Sequence, residues 1–450
     1  MELDVIIKNG LLVLPETGIT QAALAIKDGR IVGICEDQRS FQAKQIIDAQ
    51  GNYILPGVVQ AHAHLGRLAD LEDYATESRS AAVGGVTTLI EFHKQSDDYA
   101  TNFTERVKLA GARSYVDFSF HFHIGTEEQR EKIPTYLELG VSSFKFIMTD
   151  KGGGEKGEAG YNDGLLHASL ARLQEFAGTT ACIHAENKEI IAYYTERLRR
   201  QGRDDLRAWS EAHPPCSEAE SINRVLYFGA ATKCPLYIVH MTTEEGLQLI
   251  REHRKKGSSV VYAETCPQYL THTMDDDIGR TGKFTPPLQA KADNDALWEG
   301  LASGDIDAIG VDQITRQVDR EDKNIWERSN TPREAATALA VLISEGFHKR
   351  GLSMEMIAQV TAANPARIFN LYPRKGSLSV GSDADLAIVD VQREQKVSKE
   401  LIQSASNFSI YEGWTLKGWP ILTMCRGHVV MRDGAIVGDP GWGAFLARRP

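Results

Sequence analysis

The chain has 450 residues, 42% hydrophobic and 25% charged, and a formal net charge of -11 at pH 7. This size and composition are typical of a globular protein with one large domain and one smaller domain. The acidic balance and the lack of a long Lys/Arg cluster argue against nucleic acid as a partner, and no stretch approaches the roughly 18 uninterrupted apolar residues of a membrane span. The start of the chain does not resemble a secretory signal, and the six cysteines are scattered, so we expect a cytoplasmic protein with reduced thiols.

Turn dipeptides separate short apolar runs at both ends of the chain. Asn9-Gly10 and Asp28-Gly29 stand near the start and Asp433-Gly434 near the end, and such dipeptides between apolar runs are hairpin signals. Because both ends share this pattern, we predict that they meet in one small β-sandwich subdomain formed by residues 1–55 and 371–450.

Short apolar runs alternate with longer amphipathic segments between about residue 55 and residue 370. Eight strands with helices between them favour a (β/α)8 barrel over residues 56–370, although a doubly wound sheet has the same local pattern. Several strand ends carry a side chain that can bind metal, as expected if all the ends open onto one face. The strand candidates end near His64, Phe92, His123, Met148, Ala185, His240, Glu264 and Asp312.

The first strand ends in a pair of histidines, His62 and His64. Side chains two apart on a strand point to the same side, so this pair can hold a metal ion, although an isolated His-x-His also occurs by chance. Each of the other candidate ligands has an ordinary structural interpretation, as a hydrogen-bonded core residue or a helix cap. Their joint appearance at strand ends favours a metal site, because polar groups rarely end buried strands without a use. These candidates are Lys145 on strand four, His184 on strand five, His240 on strand six and Asp312 on strand eight.

Ordered motifs along nearly the whole chain resemble the amidohydrolase superfamily, specifically its cyclic-amidase branch of hydantoinases, dihydropyrimidinases, allantoinases and dihydroorotases. Any one motif is weak, but the ordered set is specific. The motifs are Leu55-Pro-Gly-Val-Val, Gly84-Gly-Val-Thr-Thr, Ser143-Phe-Lys, His184-Ala-Glu-Asn, Val239-His, Glu264-Thr-Cys-Pro-Gln-Tyr-Leu, Pro286-Pro-Leu, Asn364-Pro-Ala and Val380-Gly-Ser-Asp-Ala-Asp-Leu.

The resemblance implies a site with two divalent metal ions, zinc being the expected metal. His62, His64 and Asp312 would hold one ion and His184 and His240 the other, with a carboxylated Lys145 bridging both. A hydroxide shared by the metals would attack the amide carbonyl of a cyclic amide, imide or ureide, and Asp312 would carry the proton to the leaving nitrogen. Relatives are commonly tetramers, and the apolar tail at Gly441–Arg449 resembles a docking segment.

Three positions depart from the pattern of the relatives. Asp150 stands where hydantoinases commonly carry a tyrosine, Gln313 follows Asp312 where many relatives have histidine, and Arg67 lies one residue further along than the arginine of dihydroorotases. We expect Arg67, Asp150 and the segment from Thr285 to Asn330 to orient the substrate.

His121 and His123 end strand three on one face, with Phe118, Phe120 and Phe122 on the other. These two histidines are expected either to bind substrate or to support the metal ligands through hydrogen bonds, and a third metal site is the less favoured alternative.

Two other functions remain open. One is a dihydroorotase-type pyrimidine enzyme, against which the displaced Arg67 counts. The other is a non-catalytic, dihydropyrimidinase-like scaffold, against which the retained ligand positions count. We expect a small-molecule substrate, no membrane partner and a homotetramer.

Overall fold

The computed structural model describes residues 2–35, 42–66, 71–95, 98–149, 162–317 and 323–449. Its strands, in chain order, are β1 (Leu3–Leu14), β2 (Gly18–Lys27), β3 (Arg30–Cys35), β4 (Ala43–Asp48), β5 (Tyr53–Pro56), β6 (Val58–His64), β7 (Val86–His93), β8 (Asp117–His123), β9 (Ser143–Ile147), β10 (Thr180–His184), β11 (Leu236–Ile238), β12 (Val261–Thr265), β13 (Ala308–Ile309), β14 (Gln313–Ile314), β15 (Leu386–Lys396), β16 (Thr415–Cys425), β17 (His428–Arg432) and β18 (Ala435–Ile436).

The helices lie mainly between the strands of the middle region. They are α1 (Asp73–Val83), α2 (Phe103–Gly111), α3 (Glu127–Glu131), α4 (Ile133–Glu138), α5 (Asp163–Gln174), α6 (Lys188–Arg200), α7 (Leu206–Ala212), α8 (Pro215–Thr232), α9 (Glu244–Lys256), α10 (Pro267–Thr271), α11 (Lys291–Ser303), α12 (Ala338–Val341), α13 (His348–Arg350), α14 (Met354–Ala358), α15 (Asn364–Ile368) and α16 (Lys399–Ile402). Among the described residues, no helix is long and apolar enough to cross a membrane.

A ring of parallel strands forms the middle of the molecule, which confirms the predicted barrel. Neighbouring strands pair in the order β13-β12-β11-β10-β9-β8-β7-β6-β14. The eighth strand position is split into β13 and β14, and these two pieces pair with β12 and β6, so the ring closes. The interruption covers residues 310–312, which places Asp312 at the break.

Helix ends in the barrel follow ordinary capping chemistry. The side chain of Thr243 accepts a hydrogen bond from Gly246 N at the start of α9, and Gly257 ends that helix with φ of 62°. Asn162 and Asn187 cap α5 and α6 in the same way. These polar caps satisfy backbone groups that a helix end would otherwise leave without partners.

The two chain ends form the second sheet, as predicted. β5 pairs with β1 from the N-terminal part and with β15 from the C-terminal part, so the sheet is continuous across both ends. Ile7 of β1 and Leu24 of β2 share one buried core with side chains of β15 and β16, namely Leu386, Leu422 and Met424. The sheet therefore folds over its own apolar side chains.

The turn dipeptides do not all behave as predicted. Asp28-Gly29 joins β2 to β3 and Asp433-Gly434 joins β17 to β18, and all four residues have positive φ. The hairpin predicted at Asn9-Gly10 is wrong, because β1 continues through these residues. Asn9 has φ of 57° and the register with β2 shifts between Ile7 and Gly10, so this dipeptide forms a bulge.

The C-terminal tail closes the N-terminal end of the barrel. Phe118 N donates to Ala444 O at 3.0 Å, and Leu446 N donates to Phe118 O at 2.7 Å, so the tail runs beside the start of β8. Leu446 and Arg448 are fully buried. The tail that resembled a docking segment thus packs against the barrel of its own chain.

Candidate active site

Three predicted ligands meet at the C-terminal end of the barrel. Asp312 Oδ1 lies 3.2 Å from His62 Nε2 and 3.0 Å from His64 Nε2. These three donor atoms lie within 4.8 Å of one another, and His62 and Asp312 are buried. Two imidazoles and a carboxylate at this spacing form a donor set suited to a divalent metal ion.

The remaining two histidines adjoin this group. The ring centroid of His240 lies 5.4 Å from that of His62 and 4.5 Å from that of His184. Burial and the neighbouring cationic groups hold the pKa of His240 well below its usual range, which keeps its imidazole neutral. A neutral imidazole has the lone pair that a metal ion requires.

Two of these ligands have an unusual backbone. His240 has φ of 40° and Asp312 has φ of 54°, in the left-handed region that residues other than glycine rarely adopt. Such conformations cost free energy and persist only where surrounding structure imposes them. Their occurrence at two predicted ligands is consistent with a functional site.

Lys145 lies beside the histidines on β9. Its side chain is buried, and its Nζ lies 4.4 Å from the centroid of the Phe92 ring. Burial lowers the pKa of Lys145 to about 8, so a substantial fraction of the amine is neutral at mildly alkaline pH. A neutral amine is the form that can react with carbon dioxide.

Glu264 at the end of β12 holds two of the histidines. His62 Nδ1 donates to Glu264 Oε1 at 2.6 Å, and His240 N donates to the same oxygen at 2.9 Å. The other oxygen accepts from Tyr237 Oη at 2.8 Å. With its proton on Nδ1, His62 keeps Nε2 free to bind metal.

A glutamate also supports His184. Glu186 Oε2 lies 2.7 Å from His184 Nε2, and Glu186 Oε1 lies 2.7 Å from His213 Nδ1. Burial opposes ionisation of Glu186, but His213 and the hydrogen bonds from both imidazoles outweigh it and lower its pKa to about 2. The Nδ1 atom of His184 is then its nitrogen available to a metal.

Arg333 connects the predicted ligands to the predicted substrate contacts. Its Nη1 lies 2.8 Å from Asp312 Oδ2, and its Nη2 donates to Thr285 O at 3.4 Å. Burial opposes ionisation of Asp312, but Arg333 and the two imidazoles hold the pKa of Asp312 well below its usual range. Thr285 Oγ1 in turn donates to Asn330 Oδ1 at 3.3 Å, so these two predicted residues lie together.

A groove of about 370 Å³ opens beside the histidines and includes Lys145, His64, His123 and Arg106 in its walls. His123 thus lies where a substrate could contact it. His121 is enclosed beneath the groove, with its Nδ1 2.5 Å from Ser143 Oγ and its Nε2 3.0 Å from Ala61 O. The hydrogen-bonded interpretation therefore suits His121, and the substrate interpretation suits His123.

Two predicted substrate contacts, Arg67 and Asp150, lie outside the described residues. Gln313 points away from the ligands, because its Nε2 donates to Glu77 Oε2 at 3.2 Å. The residue after Asp312 thus joins β14 to α1 and does not contact the ligand group.

Sequence reasoning missed Glu264, Arg333 and Glu186 as parts of the site. Glu264 was visible as the polar end of strand seven, and Glu186 stands within the His184 motif. Arg333 follows no strand, and its approach to Asp312 depends on the path of a long loop. Only contacts in three dimensions assign its position.

The donor atoms fit divalent metal ions. His240 Nδ1 is buried and forms no hydrogen bond within the described part of the chain, and buried His62 Nε2 forms none of good geometry, although Asp312 Oδ1, another predicted ligand, lies 3.2 Å away. A buried polar atom without a partner costs free energy unless something binds it. The orphaned nitrogens therefore indicate where metal ions would attach.

Known proteins match this chain over almost its whole length. The Amidohydrolase family matches residues 53–430. The L-hydantoinase of Paenarthrobacter aurescens is 34% identical over 460 residues, covering 99% of this chain and 98% of that protein. The D-hydantoinase of Ralstonia pickettii is 31% identical over 466 residues, covering 99% of each chain. The solved L-hydantoinase (dihydropyrimidinase) from Arthrobacter aurescens superposes with a TM-score of 0.91 at 34% identity, covering 99% of this chain and 100% of that one.

The chain belongs to the amidohydrolase family. The comparisons confirm the predicted family, the barrel with its second sheet, and the enzyme class, a hydrolase of carbon–nitrogen bonds. Membership in this family implies divalent metal binding, for which His62, His64 and Asp312 are candidate ligands.

Proposed function

We propose that this protein opens the ring of a cyclic amide, imide or ureide by hydrolysis, as the names of its hydantoinase and dihydropyrimidinase relatives suggest. The observation that carries the proposal is the convergence of His62, His64 and Asp312 beside a buried Lys145. A non-catalytic scaffold has no need of strained, buried ligands.

The proposed cofactor is a pair of zinc ions. His62, His64 and Asp312 would hold one ion and His184 and His240 the other, with carboxylated Lys145 as a ligand to both. When bound, such a pair supplies a deprotonated water near neutral pH and a Lewis acid for the amide carbonyl. Lys145 is suited to carboxylation because burial favours its neutral amine.

Asp312 is the proposed proton carrier. Its Oδ1 faces the imidazoles, while Oδ2 faces Arg333 at 2.8 Å, so we assign proton transfer to Oδ2. Because Arg333 keeps the pKa of Asp312 low, the carboxylate is ionised at working pH. It therefore accepts a proton from the attacking water and then gives that proton to the leaving nitrogen.

Substrate orientation is assigned to Thr285, Asn330, Arg67 and Asp150. Thr285 and Asn330 would contact the amide edge of the ring, and Arg333 ties Thr285 to Asp312. Arg67 and Asp150 keep their predicted roles in orientation. Replacing Arg67 by Ala should lower kcat/KM roughly 10- to 100-fold without loss of metal, the cost of a charged hydrogen bond of about 1.5–3 kcal/mol.

Assembly and compartment are further parts of the proposal. We expect a homotetramer, which light scattering of the purified protein tests directly. A cytoplasmic location is supported by six cysteines that are all free thiols.

The deciding experiment measures turnover and metal content on one preparation. Hydantoins, dihydrouracil, allantoin, dihydroorotate and cyclic imides form the substrate panel. Replacing Asp312 by Asn should lower kcat about 10²- to 10⁴-fold on the best substrate. The matched control is Asp305→Asn, which removes a partly buried carboxylate paired with Arg251 away from the ligands. Full activity in a metal-free preparation would contradict the proposal.

The carboxylated lysine has its own test. After the mass of the bound metal ions is subtracted, the metal-loaded protein should be heavier than its sequence by the mass of one carbon dioxide, and Lys145→Ala should lose activity. A small carboxylic acid should restore part of that activity by supplying the missing oxygens. An unmodified amine in active, metal-loaded protein would overturn this assignment.

A further inference from the structure

Arg448 is a fully buried cation inside the closed end of the barrel. Its Nε donates to Ser119 Oγ at 2.9 Å, its Nη1 donates to Ser143 Oγ at 2.7 Å, and its Nη2 donates to Phe120 O. Within the described part of the chain, no carboxylate forms an ion pair with it. Burying a charge without a counterion is costly, so the position calls for an explanation.

The hydrogen bonds that join Arg448 to Ala61 have a direction set at both ends. Ala61 O can only accept, so a neutral His121 carries its proton on Nε2 and accepts at Nδ1. A guanidinium can only donate, so Ser143 Oγ accepts from Arg448 and keeps its own proton to donate. His121 Nδ1 lies 2.5 Å from that oxygen and accepts the proton. His121 Nε2 in turn donates to Ala61 O at 3.0 Å.

This chain of hydrogen bonds ends at the peptide group that joins Ala61 to His62. The same peptide is held from its other side, because His62 N donates to Gln60 Oε1 at 2.9 Å. The ring of His121 also stacks on Phe92 with centroids 4.3 Å apart, and Phe92 lies 4.6 Å from the ring of His62. Both the backbone and the ring of His62 are thus supported by His121.

We propose that Arg448, in the C-terminal tail, is a positioning residue for the metal centre that acts through Ser143, His121 and the Ala61–His62 peptide. This inference rests on the proposed metal site. Arg448 fixes the position of the Ser143 hydroxyl, that hydroxyl donates to His121 Nδ1 and holds the imidazole in place, and His121 Nε2 holds the backbone that carries His62. The tail therefore does more than fill the barrel.

The first test measures metal affinity by chelator competition with zinc in the full-length protein. Arg448→Ala and Ser143→Ala should each weaken zinc binding about 10-fold, the lower end of the range for groups that support metal ligands. The double variant should weaken it no further, because both changes break one relay. Guanidinium added to Arg448→Ala should restore part of the affinity, and Arg448→Lys should fall between Arg448→Ala and the wild type.

Two controls separate positioning from general stability. Leu446→Ala removes a buried apolar side chain of the same tail, and Arg449→Ala removes an exposed charge next to Arg448. Leu446→Ala should lower the Tm without changing zinc affinity, and Arg449→Ala should change neither. Zinc affinity of Arg448→Ala equal to that of Leu446→Ala, or additive effects of Arg448→Ala and Ser143→Ala, would overturn the proposal.

The second test does not depend on metal. In metal-free protein labelled with ¹⁵N-histidine, two-bond ¹H–¹⁵N spectra should show His121 with its proton on Nε2, assigned by loss of the signal in His121→Gln. Ser143→Ala should disturb this signal even if Arg448→Ala does not fold. An Nδ1-protonated His121 would overturn the relay while leaving the metal site intact, whereas wild-type protein that binds no zinc would instead contradict the proposed function.

Discussion

Both ends of the barrel bury charged and polar side chains, but the two ends differ in how these groups are satisfied. At the C-terminal end, His240 Nδ1 has no hydrogen-bond partner in the described chain, and His62 Nε2 faces only another predicted ligand, Asp312, at 3.2 Å. At the N-terminal end, Lys375 Nζ lies 2.6 Å from Asp117, 3.1 Å from Asp383 and 2.6 Å from Asp385. The C-terminal end therefore leaves imidazole nitrogens available to bind a metal ion. The N-terminal end pairs its charged groups with one another, and these pairs join the subdomain to the barrel.

This difference predicts a division of labour between the ends. A site that binds a ligand keeps unpaired groups and strained backbone at some cost in stability. A paired ion network contributes little to chemistry, but breaking it leaves buried charges uncompensated. Substitutions of the predicted ligands at the C-terminal end should therefore remove activity, and substitutions within the Lys375 ion network at the N-terminal end should remove stability.

The largest effect is expected at His240. Replacing it by Asn should abolish turnover and weaken zinc binding by at least about 100-fold. Loss of a residue that only supports a metal ligand weakens binding by up to about 100-fold, and loss of a ligand itself should cost at least as much. Because Asn tolerates the left-handed backbone better than His, the free energy of unfolding of the metal-free protein should stay the same or rise. Chelator competition and urea unfolding measure the two quantities. A marked loss of stability in the metal-free variant would contradict the proposed difference between the two ends of the barrel.

The converse substitution is Lys375→Met. It leaves Asp117, Asp383 and Asp385 buried without their shared cation, so the free energy of unfolding should fall by about 3–5 kcal/mol. Zinc content and kcat of the protein that remains folded should be unchanged. Arg393→Met is the matched control, because its pair with exposed Asp433 at 2.7 Å should contribute less than about 1 kcal/mol. Equal losses in both variants would show that the buried network has no special role.

A smaller effect is expected at Gly310, where Glu264 approaches the backbone closely. A Cβ atom at this position would lie 2.3 Å from Glu264 Cδ. Gly310→Ala should therefore displace the carboxylate that holds His62 and His240, and should lower zinc affinity and kcat/KM about 10-fold. Gly111→Ala adds a methyl group whose nearest neighbour is 3.9 Å away, and it should alter neither quantity. Wild-type affinity in Gly310→Ala would mean that Glu264 does not position the ligands.

The smallest effect concerns acid stability at the N-terminal end. Burial raises the pKa of Asp383, but Lys375 and Arg374 outweigh it and leave the pKa below the ordinary value of 3.8. The ionised carboxylate therefore stabilises the fold above about pH 4, and this contribution is lost as the pH falls through the lower folded-state pKa. Wild type should be more stable than Asp383→Asn near neutral pH, and the gap should shrink below pH 4. A gap independent of pH would exclude ionisation of Asp383 as its cause.

The sequence predicts the strand ends well because hydrophobic runs report burial directly. The strand predicted to end near His64 ends there, and the one predicted near Ala185 ends at His184. The fate of Asn9-Gly10 could not be predicted in this way. A turn dipeptide allows a hairpin or a bulge, and the pairing of β1 with β2 on both sides of it selects the bulge.

The candidate site was predictable where a ligand ends its own strand, as His64 and His184 do. Arg333 was not predictable, since its contact with Asp312 is made from a loop and depends on packing of the whole end of the barrel. The packing of the C-terminal tail against the barrel of its own chain was also not predictable from the sequence. Its apolar residues indicate that it covers a surface, but they do not say whether that surface belongs to the same chain.

The pairing of β5 with β15 has a consequence for folding. Residues 53–56 pair with residues 386–389, about 330 positions further along the chain. Bringing such distant segments together is entropically costly in an unfolded chain, and contacts of this range slow folding. Once the barrel has folded, the two segments are held close together in space. We therefore expect the second sheet to assemble after the barrel. Until then β5 exposes the edge that later pairs with β15, which makes the early folding intermediate the species most prone to aggregate.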